Sequence, residues 1–99
     1  MTNATLIDNT YHTAQQVETK VAALTAKVYA ENEDTWTEAM VAGFDAEVIL
    51  LDALVADVAH TVEWYELEDE DLTALVAKLQ DALADYAEFR QGVKEIKGW

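Results

Sequence analysis

The stretch WYELEDEDL, residues 64–72, sets five carboxylates within six positions: Glu66, Glu68, Asp69, Glu70 and Asp71. No Lys or Arg occurs between residues 32 and 71 to answer them. Carboxylates this dense can ligate a hard cation, act as general acid and base, or hold a basic partner by charge. The first chemistry asks for more than acids. An EF-hand loop needs a central Gly and ligands spread over about twelve residues, and ELEDED has neither. His60 and Glu63 stand one helical turn apart, as metal ligands can, but no second pair matches them and His12 belongs to another segment. A surface His beside an acid is the plainer expectation, and no metal is expected. The second chemistry asks for a pocket that shifts a carboxyl pKa. The chain has no Ser, no Cys, no Gly-rich phosphate loop and no nucleophile elbow. The sequence therefore predicts no enzyme and no cofactor, which leaves the third chemistry.

The charge is unevenly placed. Of 99 residues, 20 are acidic and 6 are Lys or Arg, a formal net charge of −14. Residues 1–31 carry −1 and residues 72–99 are neutral, so residues 32–71, with thirteen acids and no base, hold nearly all of it. Adaptation to a high-salt habitat would spread acids over every segment instead. Such a field repels phosphates, nucleic acid and anionic lipid and favours a basic partner, although solubility alone is a competing use of charge. Trp36, Trp64 and Trp99 sit at segment ends, where large rings first serve to close a core. Trp64 and Tyr65 also adjoin the acids, and aromatics beside carboxylates are what a hot spot for an Arg-rich partner requires. The predicted contact set is Asp57, Glu63, Trp64, Tyr65, Glu66, Glu68, Asp69, Glu70 and Asp71. In size and charge the chain resembles the small acidic helical proteins with which phages and other mobile elements inhibit restriction, CRISPR or repair enzymes as DNA mimics. The resemblance rests on size and charge, with no shared motif. It implies a binding module that occupies a basic, nucleic-acid-binding surface of a partner protein and itself touches neither nucleic acid nor membrane.

These residues need elements to carry them. The chain has no Pro and only three Gly, so long helices with short connections are expected. Apolar residues recur every three or four positions in three segments: Ile7 to Val28, Val41 to Tyr65, and Leu72 to Ile96. Alternation of period two is absent. The prediction is one all-α domain, an antiparallel up-down-up three-helix bundle with coiled-coil-like heptads. Helix one should run over about 4–31, helix two over about 36–65 and helix three over about 69–97, with about three-quarters of residues helical against the usual third. Thr35 with Glu38 reads as a capping box for the second helix, Glu68 or Asp69 as cap of the third, and Gly98 as its stop. Folding each helix back on its neighbour pairs Asp45 with Arg90, Glu38 with Lys97 and Lys20 with Glu47. Gly43 inside the second helix implies close approach of another backbone. Ile49, Leu50 and Leu54 widen that helix's apolar face beyond one seam. Packing between two neighbours accounts for this, and the alternative is a structural subunit, a homodimer through helix two formed by Val48, Ile49, Leu50, Leu54 and Val55. No segment reads as a signal peptide, and the longest apolar stretch, 48–58, holds Asp52 and Asp57 and is too short to span a bilayer. A cytoplasmic location is expected.

Overall fold

The computed structural model describes residues 3–30 and 33–99, of which 90% are helical and none are in strands. Three helices, α1 (Asn3–Ala30), α2 (Glu38–Trp64) and α3 (Glu70–Lys97), pack pairwise as the heptads predict. Glu31, which the sequence placed in the first helix, lies outside the described residues. At about 1.5 Å per residue, each helix runs about 42 Å. The Cα atoms accordingly spread over 51 × 19 × 18 Å, a rod rather than a ball.

One core joins all three helices. From α1 it takes Ala14, Val17, Val21, Leu24 and Val28, from α2 Val41, Leu51, Val55 and Val58. From α3 it takes Leu72, Leu75, Leu79, Tyr86 and Val93, together with Val76 and Leu83 from a second stripe. The seam positions Tyr65 and Ile96 stay exposed, because each sits at a helix end. At the end of the rod where α1 meets α2, Trp36 is 2% exposed. Its ring lies 5.5 Å from Phe44 and 5.1 Å from Phe89, the tilted and edge-on geometries aromatic pairs prefer. Trp36 thus closes the core as expected.

The expected Asp45–Arg90 pair forms, with Arg90 Nε 2.6 Å from Asp45 Oδ1, and it fixes the α2–α3 register. The α1–α2 register differs from expectation. Lys27, not Lys20, reaches Glu47, at 3.1 Å. The connection is the reason: after α1 the chain makes a 3-10 turn (Glu33–Thr35) and runs through Trp36 and Thr37 before α2 starts. That longer connection moves the pairing by one heptad. The cap moves with it. Thr35 lies in the 3-10 turn, and Thr37 is the N-cap, its hydroxyl accepting from the Met40 N–H at 3.1 Å. Lys97 donates to the backbone carbonyl of Asp34 at 3.3 Å in place of a bond to Glu38. No neighbouring backbone approaches Gly43: a Cβ built there meets nothing within 4 Å. Nor do the neighbouring helices cover all of the broad α2 face, since Ile49 and Leu50 are each 68% exposed. No described helix is long and apolar enough to cross a membrane.

Candidate acidic interface at the turn between the second and third helices

The far end of the rod is built by how α2 stops and α3 starts. α2 ends in a Schellman closure. The Leu67 N–H donates to the Val62 carbonyl at 2.9 Å, and the Glu66 N–H donates to the Glu63 carbonyl at 3.2 Å. Leu67 is buried under the closure, the apolar contact this motif usually carries. The motif needs a left-handed residue between them, and Glu66 occupies it with φ 50°. Glycine is the usual occupant. The chain uses one at the matching place after α3, where Gly98 has φ 74° and the Trp99 N–H donates to the Lys94 carbonyl at 2.9 Å. At the α2 end a carboxylate stands instead, in a conformation that costs a non-glycine residue about 1–2 kcal/mol.

Three residues beyond Glu66, Asp69 caps α3. Its Oδ1 accepts from the Leu72 N–H at 2.8 Å. Glu70 and Asp71 follow in the first turn, where the positive end of the helix dipole favours them. The fold therefore uses Asp69, and to a lesser degree Glu70 and Asp71. It makes no such use of the others. Asp57, Glu63, Glu66, Glu68, Glu70 and Asp71 are all exposed, and among the described residues none makes an ion pair. The three ion pairs among the described residues use Glu47, Glu18 and Asp45, all on the shafts of the helices.

The aromatic members of the predicted set stand among these acids. Trp64 is 69% exposed and Tyr65 50% exposed. Trp64 is therefore not a core cap, unlike Trp36. His60, one turn earlier, stacks on Trp64 with ring centroids 6.0 Å apart. Of the nine predicted residues, eight are exposed; seven of these gather where α2 ends and α3 begins, Asp57 stands two turns back along α2, and Asp69 is half-buried by its capping role. What sequence reasoning missed is the left-handed backbone at Glu66. No Gly or Asn marks it, so no turn signal was present to read.

Chemically, the end of the rod offers carboxylates with free lone pairs and two aromatic faces. It offers no described trio of side chains placed to hold a metal ion. Comparison with protein-family models, with curated proteins and with solved structures finds no significant match.

Proposed function

We propose that the protein is an acidic binding module whose α2–α3 end occupies a basic, nucleic-acid-binding surface of a partner protein, in the manner of a DNA-mimic inhibitor of a phage or other mobile element, and that it acts in the cytoplasm. The observation that carries this reading is the placement of exposed Trp64 and Tyr65 beside exposed carboxylates that make no ion pair among the described residues. A guanidinium seated there gains both a charge-assisted hydrogen bond and an aromatic face. Glu66 adds weight. Glycine would satisfy the turn with less strain, so a carboxylate kept in a left-handed backbone points to a use outside folding. Like charges so close also lower stability, which a purely structural end would avoid. Along the rod, a nucleic acid duplex of 51 Å would present about 30 phosphates at one per ~1.7 Å, against the chain's net charge of −14. The chain is thus a polyanion of about half that charge, most of it in residues 32–71.

The test is capture from lysate on the immobilised protein at low salt, followed by elution with duplex DNA. The proposal expects basic nucleic-acid-binding proteins to be retained and then released by DNA. It expects the variant E66Q/E68Q/E70Q to retain much less. Equal retention by wild type and variant would refute it.

A further inference from the structure

The broad face of α2 is covered on one side only. Leu50 and Leu54 of α2 line an open groove of about 530 Å³ against α1, and Lys20 and Lys27 stand on its α1 rim. Leu50 and, beside it, Ile49 are each 68% exposed. Space beyond Gly43 is open too. In a chain of net charge −14 this is an apolar face whose edges carry two lysines against one acid, Glu47. Lys27 is held by Glu47 at 3.1 Å, whereas Lys20, one heptad earlier, makes no hydrogen bond or ion pair among the described residues. The groove's complement is therefore a helix with apolar residues on its outer face and acids beside them. α2 is such a helix. Asp52 stands three positions beyond Ile49 and Asp57 two turns beyond Leu50, both acids are exposed, and neither has an ion pair among the described residues.

We propose that this groove is the docking surface for a second copy of the chain. In the resulting isologous dimer, Ile49 and Leu50 of each copy pack on the groove of the other, and Lys20 and Lys27 of each face Asp52 and Asp57 of the other. Two-fold symmetry makes every such contact twice. The rim pairs set register and partner choice, while apolar burial supplies the affinity. Net repulsion between two chains of −14 opposes the dimer, and salt screens it beyond ~8–10 Å. Added salt therefore strengthens this association, opposite to its effect on a basic partner at the α2–α3 end.

Sedimentation equilibrium of the full chain tests it. Wild type is expected to dimerise, more tightly at high than at low ionic strength. Leu50→Asp is expected to raise the dimer dissociation constant by about 100-fold, with circular dichroism unchanged because Leu50 is mostly exposed. The variants K20E/K27E and D52K/D57K are each expected to be monomeric alone and to form a mixed dimer when combined, since charges then oppose correctly on both rims. Three results would overturn the proposal. They are a wild type that stays monomeric up to about 1 mM at every ionic strength, an L50D variant that dimerises as tightly as wild type, and a mixture of the charge variants that remains monomeric. A dimer-deficient L50D that still engages a basic partner separates this surface from the α2–α3 end.

Discussion

Asp45 carries two interactions at one carboxylate oxygen. Its Oδ1 lies 2.6 Å from Arg90 Nε and accepts from the Tyr86 hydroxyl at 3.0 Å. Both charged side chains are about a third exposed, so solvent weakens the ion pair. Asp45→Ala is expected to cost about 1–2 kcal/mol in chemical denaturation, combining a part-screened pair with a lost hydrogen bond. Tyr86 reports on the same spot. Burial, then its hydrogen bond to Asp45 and that carboxylate's charge, push its phenol well above the ordinary tyrosine range. The unfolded value is about 10, so the neutral phenol's contribution is complete below about pH 10 and lost as pH rises through the folded value. Stability of wild type should fall on that alkaline side, and less so in Tyr86→Phe. Two of the three tryptophans separate cleanly by their burial. Trp36→Ala should cost about 3–5 kcal/mol, since it empties an aromatic cluster. Trp64→Ala should change stability by no more than about 0.5 kcal/mol, because that ring is mostly in solvent. Urea midpoints of the two variants check both values.

The elements are bounded by residues whose roles differ in kind. Asp69 is structural: Asp69→Ala removes the α3 cap and should cost about 1 kcal/mol, while Asp69→Asn keeps it. Glu66 is the reverse case. Glu66→Gly should stabilise by up to about 1 kcal/mol, because glycine accepts the left-handed backbone freely. A thermal scan showing Glu66→Gly less stable than wild type would refute the strain assigned to that turn. Gly43 sits inside α2 with open space around it, so Gly43→Ala should stabilise by about 0.5–1 kcal/mol. Much at this scale was legible in the sequence. Heptad spacing gave the three helices, and the short α2–α3 turn gave the Asp45–Arg90 register. The α1–α2 register was not legible, because Glu33–Thr35 forms a helical turn too short to leave a periodic trace. The exposure of Ile49 and Leu50 was also hidden. An apolar stripe reads alike whether it faces its own core or another chain.

For the whole molecule, the decisive feature is where charge accumulates relative to what the bundle needs. The bases of α1 and α3 answer Glu18, Asp45 and Glu47 along the shaft. Among the described residues, the exposed acids of the α2–α3 end receive none. The sequence located this surplus, since a run of thirteen acids without a base needs no coordinates to find. It did not show which acids fold the turn and which stand free, because Asp69 and Glu68 have the same charge and differ only in backbone placement. The α1–α2 face adds a second, apolar surface with the opposite salt response. The central claim is that position, not total charge, makes the end of α2 a binding surface. The direct test compares two variants of equal net charge, E66Q/E68Q/E70Q at the turn and D81N/E88Q/E95Q on the outer side of α3, where all three acids are exposed. Affinity for the captured basic protein would be measured for both, and for wild type, at low and high salt. The turn variant is expected to lose about 1–3 kcal/mol for each charge desolvated on binding and the α3 variant far less, while salt weakens wild type steeply. Equal losses in the two variants would show that only net charge matters and would contradict the account.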